Sequence, residues 1–100
     1  MYRITIYIAN ENNLHSIDIN TTIEKRNDII SLLDMFLSVK IPVTTSEIKK
    51  NLNRLLNRQI IFSKEKNSIC FKHFSSDLNL LINCNTKKLY EINNLNSINL

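Results

Sequence analysis

The chain has 100 residues, 43% hydrophobic and 22% charged, which is enough for one globular core and too apolar for wholesale disorder. It contains no glycine. Phosphate-cradling loops need residues without Cβ, so a dinucleotide fingerprint, a P-loop and a nucleophile elbow are all excluded. Thirteen Lys and Arg against nine Asp and Glu give a formal net charge of +4, which is compatible with an acidic partner or nucleic acid but requires neither.

The chain shows no sign of export or membrane insertion. Its start alternates between apolar and polar residues, unlike a signal peptide, and its apolar runs are far shorter than the ~20 residues that cross a bilayer. Two cysteines, Cys70 and Cys84, are too few for a secreted disulfide scaffold. We therefore expect a cytoplasmic protein with free thiols, each buried as a small hydrophobic side chain.

The first predicted elements are two short strands joined by a turn. Residues 2–9 place Ile4, Ile6 and Ile8 on one side and polar residues on the other, the period-2 pattern of a half-buried strand. A polar cluster at 10–13 predicts a turn, and residues 14–19 alternate again. The pattern predicts a β-hairpin.

A long apolar helix should follow. Thr21 or Thr22 offers an N-cap, Glu24 follows in the first turn, and apolar residues recur at helical spacing to about Val39. These residues cover more than half of the helix circumference, so we expect the helix to be sandwiched between two surfaces. Its narrow remaining face is acidic.

A second helix is predicted from about residue 45 to Arg58. Pro42 ends the first helix because the residue before a proline is pushed out of the α region. Thr44 and Glu47 have the spacing of a capping box. The apolar stripe of this helix is narrower than that of the first helix, and its exposed face is basic.

The last third of the chain has the pattern of strands separated by polar turns, with strands expected at 60–62, 68–74, 78–84 and 89–92. Without glycine, we expect Asn, Asp and Ser to supply the turns. The sequence predicts an α+β fold of order ββααββββ, an antiparallel sheet (hairpin plus C-terminal meander) with two helices packed on one face. Residues 1–92 should form a single domain, and 93–100 a loosely ordered tail.

The chain offers little for catalysis. His15 and His73 are the strongest candidate bases, and neither lies in a recognisable catalytic pattern. Cys70 and His73 stand at i and i+3 on a predicted strand, where side chains point to opposite faces. The paired cysteine spacing of a structural zinc site is missing. We therefore expect no enzymatic activity, no metal and no cofactor.

The second helix carries the best-defined candidate surface. Its basic residues are Lys49, Lys50, Arg54 and Arg58, of which the last three recur at i, i+4 and i+8. Such a row could contact phosphates or an acidic protein, and it could equally be the solvated face of an ordinary amphipathic helix. A winged helix would need a further recognition helix, for which residues 45–60 leave no room.

A glycine-free, motif-free domain rich in Asn, Ile and Lys resembles the immunity proteins that neutralise bacterial toxin domains, including those of contact-dependent inhibition systems. The resemblance lies in size, composition and layout over the whole chain, and it implies a stoichiometric inhibitor that covers a toxin surface. Inhibitors of basic nucleases in these families are usually acidic, whereas this chain is net basic. The resemblance therefore implies either a toxin with an acidic surface or contact through the acidic residues Glu11, Asp18, Glu24, Asp28 and Asp34.

Two other functions remain open at this point. The chain could be a small nucleic-acid-binding protein of viral or plasmid origin that uses the basic helix face. It could also be a homo-oligomer that assembles through an exposed strand edge.

Overall fold

The computed structural model describes residues 1–39, 42–66, 68–69, 76–92 and 98–99. These residues form the expected α+β fold. The elements follow the order β1 (Tyr2–Asn10), β2 (Asn13–Thr21), α1 (Ile23–Ser38), α2 (Thr45–Leu56), β3 (Ser63–Glu65), β4 (Ser68–Ile69), β5 (Leu78–Asn83), β6 (Lys88–Glu91) and β7 (Ile98–Asn99).

Strand β1 lies at the centre of a five-stranded sheet of order β3-β2-β1-β5-β6. It pairs antiparallel with β2 across the turn at Glu11, which confirms the hairpin, and parallel with β5, where Ile4 pairs with Leu78. The sheet is therefore mixed, whereas the sequence predicted antiparallel pairing throughout. A parallel pair requires a crossover connection, and the two helices lie within the connection between β2 and β5.

The C-terminal strands do not form one continuous meander. β5 and β6 form a hairpin, β3 pairs with β2 at the opposite edge of the sheet, and β4 pairs with β7 in a separate two-stranded sheet. Residues 60–62 are not a strand, and β3 occupies positions where a turn was expected. Of the strand expected at 68–74, residues 70–74 lie outside the described part of the chain, as do residues 93–97 and 100 of the expected tail.

Both helices begin where their capping residues predict. The Thr22 hydroxyl accepts a hydrogen bond from the Lys25 amide at 3.3 Å, and the Thr44 hydroxyl accepts one from the Glu47 amide at 3.2 Å. These contacts satisfy amide groups that the first turn leaves without helical partners. α2 ends at Asn57, whose φ of 52° is the left-handed conformation that closes many helices.

The main core lies between one face of the sheet and the two helices. Because side chains alternate along a strand, Ile4, Ile6 and Ile8 all face the helices, and all three are fully buried. On α1 only Ile29 and Leu33 are buried, while Met35 is 52% exposed. The expectation that α1 is sandwiched between two surfaces is therefore wrong, because its other apolar residues are only partly covered.

The second face of the sheet has a smaller cluster. Ala9, Leu14, Leu81 and Ile92 are buried there, with Tyr7 packed against them. Toward the other end of β1 the same face becomes polar, with Thr5, Asp18 and Asn79 in register with one another. One sheet face thus supports the helices, and the other combines a small apolar cluster with polar groups.

Candidate functional site

The basic row on α2 is held by a helix with defined ends. The side chains of Lys50 and Arg54 are exposed, and they make no hydrogen bond or ion pair with the residues that the structure describes. Arg58 follows the left-handed Asn57 cap, so it lies beyond the helical part of the row, and its guanidinium bonds to the Asn20 carbonyl oxygen. The row therefore presents cations from a rigid support, and an incoming anion would not have to break an existing ion pair at Lys50 or Arg54.

Lys49 has a different environment from the rest of the predicted basic set. Its ammonium group lies 5.8 Å from the centre of the Phe62 ring, within the range of a cation–π contact. Phe62 in turn packs against the main core. Lys49 therefore links the segment between α2 and β3 to the helix. This structural contact distinguishes Lys49 from Lys50 and Arg54, which point outward.

Arg58 lies at a cleft of about 320 Å³ between β2 and the segment that follows α2. Its guanidinium donates a hydrogen bond to the carbonyl oxygen of Asn20 at 3.2 Å. The side chain of Ile61 is 81% exposed, the highest exposure of any large apolar side chain in the described chain after Met1. The lining residues are Asp18, Asn20, Arg58, Gln59, Ile60 and Ile61.

Asp18 is fixed at this cleft by contacts from β1. One carboxylate oxygen forms a 3.1 Å salt bridge with Arg3, and the other accepts a 2.5 Å hydrogen bond from the Thr5 hydroxyl. Thr5 also makes a hydrogen bond with the Ser76 hydroxyl. Burial raises the pKa of Tyr7, and the nearby Asp18 carboxylate raises it further. Sequence reasoning did not find Arg3 and Thr5, although their alternation with Ile4 on β1 placed them together on one face.

The other predicted acidic residues do not gather around Asp18. Glu24, Asp28 and Asp34 are exposed on α1, whereas Asp18 lies on the sheet face that points away from the helices. Glu11 occupies the hairpin turn at the far end of β2. The five residues thus form no single surface, and Asp18 lies instead beside the basic residue Arg58.

The described residues contain no group of three or more His, Cys, Asp or Glu side chains arranged to hold a metal ion. Cys84 is a free, buried thiol, as expected, and burial raises its pKa to about 11. A thiol in that state is a poor nucleophile at neutral pH. Cys70 and His73, the pair considered for nucleophilic chemistry, lie outside the described residues.

Within the described ranges neither helix is long and apolar enough to cross a membrane. Comparisons with protein-family models, with curated proteins and with solved structures each find no match to the chain. The site must therefore be interpreted from its own geometry.

Proposed function

We propose that this chain is a binding protein without catalytic activity that neutralises a bacterial toxin domain by forming a tight one-to-one complex in the cytoplasm. The partner presents an acidic surface, and the contact is made through Lys50, Arg54 and Arg58. One observation carries the proposal: the side chains of Lys50 and Arg54 are exposed on a capped helix and have no hydrogen-bond or ion-pair partner among the described residues.

The physical argument concerns what a charged surface does best. Cations on a rigid helix attract an acidic partner over a distance, which raises the association rate and aligns the two surfaces before contact. Because α2 is anchored by buried Ile48 and Leu52, the backbone that carries the row need not rearrange on binding. Such preorganisation lowers the entropic cost of forming the complex.

Co-expression with the product of the adjacent reading frame tests the proposal. We expect protection from that product's toxicity and co-purification of a 1:1 complex, with the mass measured by light scattering. Changing Lys50→Glu and Arg54→Glu together should weaken the complex by roughly a hundredfold, since reversed charges repel an acidic surface.

The matched control reverses charge on the other helix, with Glu24→Lys and Asp28→Lys on the exposed face of α1. This pair alters net charge by the same magnitude in the opposite direction, and it should leave affinity nearly unchanged because α1 is not the contact surface. Absence of both protection and co-purification would reject the immunity function. If duplex DNA or RNA instead bound the purified chain, with affinity that falls steeply as salt rises, nucleic-acid binding would replace it.

A further inference from the structure

The pairing between β2 and β3 stops partway along β2. Leu14 pairs with Glu65 and Ser16 with Ser63, and the same register would pair Asp18 with Ile61 and Asn20 with Gln59. Those pairs do not form, because residues 57–62 are not in a strand. The cleft occupies the place where this continued pairing would be.

The segment before β3 has the side-chain alternation of a strand without the ladder. Ile60 is 6% exposed and packs into the main core, whereas Ile61 is 81% exposed. The Ile60 amide donates to the side-chain oxygen of Asn53 on α2 at 2.7 Å. Backbone groups alternate in direction along an extended chain, so the Ile61 amide is directed to the opposite side, away from α2.

Arg58 takes the hydrogen bond that a neighbouring strand would make. Its guanidinium is bonded to the Asn20 carbonyl oxygen, so this carbonyl points away from β1 and into the cleft. Backbone groups two residues apart on a strand point the same way, so the Asp18 amide and carbonyl also face the cleft. The edge of β2 from Asp18 to Asn20 is therefore exposed to a second strand.

The outer edges of the sheet differ from this inner edge. β3 and β6 are only three and four residues long, and they carry the charged residues Lys64, Glu65, Lys88 and Glu91. Short, charged edge strands resist pairing with another chain. The cleft combines open backbone groups of β2 with an exposed isoleucine, so it is better suited to receive a strand.

We propose that the cleft binds an extended acidic segment of the partner protein, which pairs with the β2 edge at Asp18 and Asn20. A backbone N–H of the segment replaces Arg58 as the hydrogen-bond donor to the Asn20 carbonyl oxygen. The released Arg58 guanidinium then pairs with an acidic side chain of the segment. An apolar residue of the segment covers Ile61. The Asp18 carboxylate at the cleft is already paired with Arg3 and Thr5, which leaves Arg58 to set the charge preference there. Because Arg58 belongs to the same basic row as Lys50 and Arg54, the row and the cleft favour the same charge in one partner. The inference rests on the proposed function.

The probe is a blocked seven-residue peptide of alternating Glu and Val, added to isotope-labelled protein and followed by NMR. We expect shifts at the amides of Asp18, Asn20 and Ile61, and no such shifts with the matching Lys and Val peptide. Two further versions of the peptide are N-methylated at alternate residues, one at the odd-numbered positions (the odd phase) and the other at the even-numbered positions (the even phase). One phase should bind about tenfold more weakly than the other, because only one set of peptide amides faces β2. Equal binding of the two would overturn strand pairing.

Arg58→Gln and Arg54→Gln remove the same charge from neighbouring positions of the row. We expect Arg58→Gln to weaken acidic-peptide binding about tenfold and Arg54→Gln to have a smaller effect, while Arg58→Lys restores part of the affinity. Equal effects of the two Gln variants, or shifts confined to α2, would show that the peptide binds the charged helix face alone and would overturn the docking site.

The peptide and co-expression experiments can fail independently. If the partner complex forms but leaves the amides of Asp18 and Asn20 unprotected from hydrogen exchange, the docking inference fails while the proposed function stands. If the peptide binds the β2 edge in one phase but co-expression gives neither protection nor a complex, the toxin-neutralising function fails and the strand-binding site stands.

Discussion

Three residues adopt left-handed backbone conformations in this glycine-free chain, among those that the structure describes. They are Glu11 at φ 55°, Asn57 at φ 52° and Lys87 at φ 54°. Asn57 matches the expectation that Asn, Asp and Ser replace glycine in turns. Glu11 and Lys87 do not match it, and both carry a Cβ where this conformation costs about 1–2 kcal/mol.

Glu11→Gly should therefore stabilise the protein, by about 0.5–1 kcal/mol, because glycine removes the Cβ clash but adds freedom to the unfolded chain. Asn12→Gly in the same turn is the control, since Asn12 is not among the positive-φ residues. It should give no gain. Urea denaturation measures both changes, and an equal gain from the two variants would show that the backbone conformation at Glu11 carries no strain.

Cys84 links stability to alkaline pH. Burial raises its pKa to about 11 from an ordinary value near 9, so the unfolded thiol ionises before the folded one. Below about pH 9 the thiol is protonated in both states and does not change stability with pH. As pH rises from about 9 toward 11 only the unfolded state ionises, so the free energy of unfolding falls by about 2 kcal/mol. The raised pKa of Tyr7 acts in the same direction, at higher pH.

Comparison of the wild type with Cys84→Ala by urea denaturation at pH 8 to 11 checks this linkage. The wild type should lose more stability over that range than the variant, in which Tyr7 still titrates. Parallel curves for the two proteins would contradict the buried-thiol effect.

At the scale of elements, Asn53 joins α2 to the segment that precedes β3. Asn53→Ala would leave the buried Ile60 amide without its 2.7 Å partner, and we expect it to cost about 1–3 kcal/mol. Asn51 is a matched control on the same helix, because among the described residues its side-chain amide bonds to the exposed Glu47 carbonyl and not to a buried group. Asn51→Ala should change stability by less than about 0.5 kcal/mol. Equal losses of stability in the two variants, measured by urea denaturation, would contradict a stabilising role for the bond between Asn53 and the Ile60 amide.

The elements predicted correctly from the sequence are those set by neighbouring residues. The β1–β2 hairpin follows from strict alternation, and both helix starts follow from Thr22 and Thr44 with their caps. The position of β3 could not be predicted this way. Residues 60–62 have strand-forming composition, but Arg58 occupies the Asn20 carbonyl oxygen that a continued ladder with β2 would use.

The parallel pairing of β5 with β1 also joins distant parts of the chain, but the sequence of β5 does indicate it. β5 has the sequence LNLLIN, and its first five residues are all buried. A nearly continuous apolar run is typical of a strand that is covered on both faces, as parallel strands usually are. The basic row was predictable from helical spacing, whereas the cleft was not, because it forms only where β2 meets a distant, non-strand segment of the chain.

At the scale of the molecule, the position of β1 between β2 and β5 should make it the most stable part of the structure. Ile4, Ile6 and Ile8 are fully buried and both neighbours are paired along the strand. Their amides should exchange with solvent only on global unfolding, while β3 amides exchange through local opening. Native-state hydrogen exchange at increasing urea measures this order. Protection of β3 that equals or exceeds that of β1 would contradict it.

The parallel β1–β5 pair has a consequence for biosynthesis. Ile4 leaves the ribosome long before Leu78, so β1 cannot pair with β5 until most of the chain has been translated. During that interval an isoleucine-rich edge is open to aggregation or to capture by chaperones. A polypeptide translated from a message truncated before the β5 codons would thus be degraded rather than fold into a smaller functional protein.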